Sequence, residues 1–209
     1  MAIICLFGPD GSGKTTLAKK LAERLSSDGV RVRYSWMRGS HTLTSLVSRV
    51  LSRTPSFRGE RNPYYGIRFP KGSGRLWQSL ECMSVLPVIL IRFILPHLLG
   101  FTVVADRFSI DFVVWVAMTT GDEGFSRGFV ARCATHLAAN HATLIYVTAD
   151  TEDLEKRSGT EREFLEREIG LYLSIIESQS LNVHIVETSD SSVDESLNQV
   201  LRIVSRGKS

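Results

Sequence analysis

A glycine-rich segment near the start of the chain has the residue types and spacing that bind polyphosphate. It reads Gly8-Pro9-Asp10-Gly11-Ser12-Gly13-Lys14-Thr15-Thr16 and matches the pattern G-x-x-x-x-G-K-[ST]. The glycines allow the backbone to curl so that N–H groups point at phosphate oxygens, and a helix beginning at the lysine adds positive potential. We expect Lys14 to contact the β and γ phosphates of ATP and the Thr15 hydroxyl to bind Mg²⁺. The nucleotide-binding candidates are therefore Gly8, Asp10, Gly11, Ser12, Gly13, Lys14, Thr15 and Thr16.

A second candidate site is the triplet Asp106-Arg107-Phe108, which directly follows an apolar run at residues 101–105. Parallel α/β sheets bind ligands at the carboxyl ends of their strands. Asp106 is expected to hold the Mg²⁺ hydration shell or to accept a proton, and Arg107 to bind a phosphate bidentately. A GTPase switch would have a glycine beside the aspartate and an Asn-Lys-x-Asp segment, and neither is present. The alternative is a surface ion pair at a strand end.

A third candidate is the basic hinge at residues 156–162, within a segment, residues 151–168, that we interpret as a lid. Arginines on a closing lid stabilise the charge of a moving phosphoryl group while water is excluded. Arg157 and Arg162 are the catalytic candidates, with Arg167 a further possibility. The alternative is an ordinary exposed helix, on which these arginines pair with Glu161, Glu163, Glu166 and Glu168.

Short apolar runs alternate with helical periodicity along the chain, which predicts a parallel sheet of the α/β class with helices on both faces. The predicted strands are residues 3–7, 30–36, 101–105, 143–147 and 183–186. The predicted helices are residues 15–25, 43–51, 76–95, 127–139, 160–177 and 193–204.

The composition fits one domain over residues 1–209, with 43% hydrophobic residues and a net charge of +3. That charge is too small for a nucleic-acid coat protein, so no nucleic-acid partner is expected. The three cysteines are widely spaced and predict a reduced, cytoplasmic protein without structural zinc.

Residues 85–104 are apolar, but Arg92, Pro87, Pro96 and Gly100 favour a buried helix ending near His97 over a membrane span.

Two further features lie in residues 37–99. Residues 54–74 are rich in proline and glycine and predict a long mobile loop, whose basic and aromatic residues suit base stacking or, alternatively, a solvated loop. The helix at residues 76–95 is apolar almost all round, which predicts a homodimer interface.

Three segments together resemble thymidylate kinase. They are the glycine-rich segment at residues 8–16, called the P-loop from here on, the triplet at residues 106–108, and the run from Lys156-Arg157 to Tyr172. The resemblance implies a P-loop NTPase fold of the nucleoside monophosphate kinase type, a five-stranded parallel sheet, a homodimer, and transfer of the γ-phosphate of ATP-Mg²⁺ to dTMP. It assigns Asp10 to the acceptor sugar hydroxyl and Arg107, with Arg38, to the acceptor phosphate; Phe108 joins this substrate-binding set. Residues 188–191 are implied in adenine binding; the alternative is that Ser191 or Ser192 caps the last helix ahead of Glu195.

The sequence departs from that family in residues 37–99, which match only in outline. The family carries an arginine-containing segment in the helix about twenty residues before Asp106, where this chain reads Cys82-Met83-Ser84-Val85-Leu86-Pro87. Trp77, Phe69 or Tyr65 are candidates to stack a base instead. Three hypotheses follow: a dTMP kinase, a P-loop kinase acting on another nucleotide or small metabolite, and a non-catalytic ATP-dependent binding module.

Overall fold

The computed structural model describes residues 2–37, 39, 42–54 and 74–206. In this part of the chain the strands form one parallel sheet with the spatial order β2-β3-β1-β4-β5. The strands are β1 (Ile3–Phe7), β2 (Val32–Trp36), β3 (Thr102–Asp106), β4 (Ala142–Thr148) and β5 (Val183–Glu187). The predicted five-stranded parallel sheet is confirmed, and each strand lies within two residues of its predicted bounds at either end.

Helices connect the strands and cover both faces of the sheet. They are α1 (Lys14–Ser27), α2 (Thr42–Leu51), α3 (Gly74–Ile89), α4 (Leu95–Leu98), α5 (Ser109–Thr120), α6 (Phe129–His141), α7 (Thr151–Ser158), α8 (Arg162–Ser178) and α9 (Val193–Arg206). A π-helical turn, Leu90–Ile94, joins α3 to α4, and a 3₁₀ turn, Glu123–Arg127, precedes α6.

The central strands β1 and β3 are buried along their whole length, since both of their faces are covered by helices. On one face, the apolar stripe of α1 packs with α9 against Ile4 and Val104. On the other face, α5, α6 and α8 pack against Cys5 and Ala105. The register places Leu6 beside Asp106, so the P-loop after β1 and the triplet after β3 emerge side by side.

Helix α5 was not predicted, and its burial explains why. All of its residues except Thr120 are buried, so the helix is apolar all round and lacks the one-sided stripe on which sequence recognition depends. It carries Asp111 into the protein interior directly behind the P-loop.

The helix predicted at residues 76–95 runs from Gly74 to Leu98 and is interrupted by the π-helical turn. Pro87 lies inside α3, and the turn follows three residues later, as expected where a helix accommodates a missing N–H donor. Arg92 lies in this turn, where its Nη1 donates to the carbonyl of Trp36 at 3.2 Å, and its own carbonyl accepts from Ser35 Oγ at 2.7 Å. The mid-helix charge therefore anchors the helix to the end of β2.

The expectation that this helix is buried is only partly correct. Met83, Leu86, Leu90 and Ile91 are each more than half exposed and share one face of the helix. Among the described residues, the helix from Gly74 to Leu98 is long and apolar enough to cross a membrane, judged by length and composition alone. The mean hydropathy of its most apolar stretch is 1.8, and 33% of that stretch is buried. The predicted loop at residues 54–74 lies, apart from its first and last residues, outside the described part of the chain, as do Tyr65 and Phe69.

Candidate active site

The loop between β1 and α1 has the backbone that its glycines predict. Gly8, Gly11 and Gly13 have φ values of 139°, 86° and 84°, which L side chains rarely adopt. A Cβ on Gly8 would lie 2.2 Å from the carbonyl oxygen of Val147, and one on Gly11 would lie 2.7 Å from that of Leu154. The loop is therefore seated against the end of β4 and against α7, the first helix of the predicted lid.

Lys14 is buried in this loop, with 2% of its surface exposed. Its Nζ donates to the carbonyl of Pro9 and to Ser12 Oγ, the latter at 3.1 Å. Burial, and then the positive charge of Arg107, lower the pKa of Lys14 to about 8. Thr15 and Thr16 follow at the first turn of α1, and both are exposed to solvent. The loop thus presents two hydroxyl groups and a helix N-terminus to a ligand, with the lysine held beneath it.

Arg107 is the cation beside the P-loop. It is 8% exposed and forms ion pairs with Asp10 and, at 3.4 Å, with Asp111 Oδ1. Its φ of 72° is in the left-handed region, which is uncommon for an arginine. Burial opposes its charge, but the surrounding carboxylates, Asp111 first, raise the pKa of Arg107 above its ordinary value. The structure therefore brings the predicted Asp10 and Arg107 into direct contact.

Asp111, the second carboxylate paired with Arg107, is itself held in place by two hydrogen bonds. Its Oδ2 accepts from the backbone N–H of Phe108 at 3.1 Å, and its Oδ1 accepts from Tyr172 Oη at 2.8 Å. Burial raises the pKa of the Asp111 carboxyl, while Arg107 and Lys14 oppose that shift. The sequence analysis did not identify Asp111, because this residue lies inside an apolar run. A signal was present all the same, since Asp111 follows Arg107 by four residues, the spacing at which helical side chains interact.

Glu168 is a second missed residue, since the sequence placed it on an exposed charged helix. In the structure it is 4% exposed, and its Oε2 accepts from the backbone N–H of Asp10 at 3.1 Å. Burial, and then the negative charge of Asp10, raise the pKa of Glu168 to about 7. A buried carboxyl that titrates near neutrality therefore touches the P-loop.

Asp106 lies at the carboxyl end of β3 and is fully buried. Its Oδ2 accepts from Tyr34 Oη at 2.8 Å, whereas its Oδ1 has no hydrogen-bond partner among the residues that the structure describes. An orphaned carboxylate oxygen beside the P-loop fits a water molecule of a Mg²⁺ hydration shell. Thr15 and Asp106 are the residues that would hold this ion, and this assignment stays a prediction.

The lid arginines are placed differently from one another. Arg157 on α7 donates to Thr188 Oγ1 at 3.2 Å, and Thr188 Oγ1 in turn donates to the carbonyl of Ser12 in the P-loop at 3.2 Å. Arg162 is exposed and pairs with Glu155 at 3.3 Å, and Arg167 pairs with Glu123 at 2.9 Å. The structure thus brings Arg157 to the edge of the P-loop and does not bring Arg162 or Arg167 there.

A cavity of about 210 Å³ adjoins the P-loop on the side of Arg157. Its lining includes Gly13, Thr16, Arg157, Thr188, Ser191 and Ser196. It joins the start of α1 to the segment at residues 188–191, for which the family resemblance implied adenine contacts.

Among the described residues, the side chain of Phe108 is not assembled with these groups. Phe108 is fully buried, and its ring lies 4.7 Å from that of Phe93 in the core. Arg38 lies outside the described residues. Trp77 is described and is buried in α3.

Three comparisons with known proteins bear on this arrangement. Residues 4–61 match the model of the ATPase family associated with various cellular activities (AAA). No curated protein matches the sequence. Among solved structures, thymidylate kinase from Ehrlichia chaffeensis matches with a TM-score of 0.57 and 18% identity, over 98% of this chain and 98% of that chain.

The fold and the site together define a class of protein: a P-loop NTPase fold with a five-stranded parallel sheet of the nucleoside monophosphate kinase type. The fold is similar to that of thymidylate kinase over almost the whole chain, and the fold expected from the sequence resemblance is confirmed.

Proposed function

We propose that this protein is a kinase that transfers the γ-phosphoryl group of ATP to a small-molecule acceptor. The observation that carries the proposal is the ion pair between the partly buried Asp10 in the P-loop and the buried Arg107 after β3. A protein that only binds ATP needs Lys14 and the loop amides, but it has no need for a second buried cation beside them. An arginine held there neutralises charge that develops on a transferring phosphoryl group.

Each predicted catalytic residue has a role in this proposal. Lys14 and the amides of the P-loop bind the triphosphate, and Thr15 with Asp106 holds Mg²⁺, which neutralises charge on the β and γ phosphates when bound. Arg107 faces the acceptor side. Arg157, which contacts Thr188, lies on the other side of the P-loop from Arg107. The cavity of about 210 Å³ on that side suits the nucleoside part of ATP. Arg162 would join the site only after the lid moves.

The acceptor that the sequence resemblance implies is dTMP, with dTDP as product, so dTMP is the first compound to test. ADP formation is measured with ATP and Mg²⁺ in the presence of dTMP, dUMP, the other nucleoside monophosphates, nucleosides and small polyols, and without acceptor. Acceptor-dependent ADP formation supports the kinase proposal. ATP binding with no stimulation by any acceptor contradicts it and favours the binding module.

ATP binding should weaken at alkaline pH, because Lys14 loses its charge there. Burial and Arg107 lower the pKa of Lys14 to about 8, so the ammonium form is complete below that value and is lost above it. Above about pH 8 the affinity should fall by up to about tenfold per pH unit, the limit for one linked proton. Calorimetric titration with ATP across this range measures the effect. Lys14→Ala should bind weakly with no such dependence, and an equal pH slope in that variant would rule Lys14 out as its source.

We also propose that the protein is a homodimer formed through the exposed face of α3 and the π-helical turn. Met83, Leu86, Leu90 and Ile91 present a contiguous apolar face, and such faces are usually covered. Sedimentation at micromolar concentration should show a dimer for the wild type and a monomer for Leu90→Asp. Phe129→Asp, which changes a side chain that is 74% exposed on α6, is the matched control and should remain dimeric. A monomeric wild type would contradict the proposal.

A further inference from the structure

Among the described residues, the acceptor side of the P-loop carries more carboxyl groups than cations. The side chains that meet there are two cations, Lys14 and Arg107, and three carboxyl groups. The carboxyl groups belong to Asp10, Asp111 and Glu168. A phosphorylated acceptor is a dianion and would add its negative charge to this group.

Both cations are already engaged. Arg107 uses one terminal nitrogen on Asp10 and the other on Asp111, and Lys14 donates to Pro9 and Ser12 within the P-loop. An acceptor phosphate placed next to Arg107 would therefore lie beside carboxylates in a buried region, where repulsion between like charges is strong.

The chemistry of transfer separates the two classes of acceptor. The phosphate of a nucleoside monophosphate has a second pKa near 6, so at neutral pH its attacking oxygen carries no proton. A hydroxyl group must lose a proton as its oxygen attacks, and a positioned carboxylate accelerates that loss. A carboxylate that takes up a proton at the P-loop is thus useful to a hydroxyl acceptor, whereas the attacking oxygen of a phosphate acceptor has no proton to lose.

Glu168 is the carboxyl group best placed for this task. The N–H of Asp10 fixes its Oε2 at the P-loop, whereas Asp111 is committed to Arg107, Tyr172 and the amide of Phe108. Burial first, and then Asp10, raise the pKa of Glu168 to about 7, which suits a general base at neutral pH. The titratable groups that face it from the surrounding elements are Asp10, Lys14, Arg107, Tyr146 and Tyr172.

We propose that the acceptor presents a hydroxyl group to the γ-phosphate, and that Glu168 takes the proton which this hydroxyl loses. The inference rests on the proposed kinase function and names its substrate class as an alcohol, such as a sugar, a polyol or a nucleoside. The acceptor oxygen forms a bond to the γ-phosphorus, and the bond from that phosphorus to the β,γ-bridging oxygen breaks. The electron pair leaves with ADP, and the proton passes to Glu168 and then to solvent.

Water is itself a hydroxyl acceptor, so slow ATP hydrolysis without any added compound tests Glu168 directly. Hydrolysis by the wild type should rise with pH between about 6 and 8, as Glu168 loses its proton. Glu168→Gln should lower the rate by about 10²–10⁴-fold and abolish the rise. The glutamine keeps an oxygen for the N–H of Asp10, so a purely structural role would leave the pH profile unchanged.

Glu166→Gln is the matched control, because Glu166 is exposed on the same helix two residues away. Its rate and pH profile should equal those of the wild type. A Glu168→Gln variant that hydrolyses ATP with the wild-type pH profile would overturn the role of Glu168.

The class of acceptor is tested by the phosphorus linkage in the product. The wild-type protein is incubated with ATP-Mg²⁺ and pairs of compounds that differ only in a phosphate, namely thymidine with dTMP and deoxyadenosine with dAMP, together with glycerol and glucose. A phosphate monoester in the ³¹P NMR spectrum supports the inference. A new phosphoanhydride would overturn the hydroxyl acceptor while keeping the kinase proposal, whereas bound ATP with transfer to none of these compounds would count against the kinase proposal itself.

Discussion

Replacing Arg107 with Met lowers the free energy of unfolding by about 3–5 kcal/mol, because it leaves the buried Asp111 and the partly buried Asp10 without their cation. Asp10 and Asp111 both form ion pairs with Arg107, and Asp111 is 3% exposed. The same variant is expected to lose phosphoryl transfer by about 10²–10³-fold, since a charge that stabilises the transition state is removed. Denaturant unfolding at pH 7 measures the first effect, and acceptor-dependent ADP formation measures the second.

Arg162→Met is the control for the unfolding measurement. Arg162 is exposed and pairs with Glu155 on the surface, where such pairs contribute about 0–1 kcal/mol. The double variant Arg107→Met/Asp111→Asn should recover part of the lost stability, because the charge of Asp111 is then no longer buried without a cation. Unfolding of Arg107→Met at the wild-type denaturant midpoint would show that the ion pairs do not stabilise the fold.

Lys14→Ala is expected to abolish phosphoryl transfer and to leave the protein folded. Lys14 is the one cation within the described part of the P-loop, and its loss removes about 3 kcal/mol or more of transition-state stabilisation, a factor of about 10²–10³ in rate. The lysine is buried, and its pKa is lowered to about 8 chiefly by that burial, so ionising it in the free protein is unfavourable. The unfolding midpoint of Lys14→Ala should therefore change little.

Lys19→Ala is the matched control, because Lys19 is exposed on the same helix. Its transfer rate should equal that of the wild type. Full activity in Lys14→Ala would mean that the triphosphate binds elsewhere, and every role assigned around the P-loop would then be wrong.

The sequence predicted the sheet and the P-loop well because both depend on local patterns. The strand Ile3–Phe7 is apolar on both faces, the glycines permit the positive φ values that the loop requires, and α1 has a one-sided apolar stripe. The side-by-side placement of Asp10 and Arg107 followed from a general rule, since parallel strands deliver their carboxyl ends to one edge of the sheet. These features need no knowledge of distant contacts.

The rest of the site depends on packing between segments far apart in the chain. Glu168 looks like one of several exposed glutamates, yet α8 turns it inward onto Asp10, 158 residues away. Asp111 is hidden in an apolar run, and its partner Tyr172 lies 61 residues further on. Glu168 lies on the buried stripe of α8 with Leu165, Tyr172 and Ile175, but that spacing does not show which residues its carboxyl group contacts, so the roles of Glu168 and Asp111 emerged only from the structure.

The two lid arginines lie apart in this structure, although one local pattern predicted that both serve the same site. Arg157 and Arg162 are five residues apart, and Gly159 ends α7 between them with a left-handed backbone. That break points Arg157 to Thr188 and leaves Arg162 on the surface beside Glu155. Whether both arginines act in transfer stays a prediction.

The central claim is that the γ-phosphoryl group of ATP moves to an acceptor, and labelled phosphate follows it directly. ATP carrying ³²P in the γ position is incubated with Mg²⁺, the acceptor panel and either the wild type or Lys14→Ala, and the labelled compounds are separated. We expect the label to appear in a new phosphorylated acceptor with the wild type and to remain in ATP with Lys14→Ala. Label that stays in ATP, or reaches only inorganic phosphate, with the wild type and bound ATP would contradict the account.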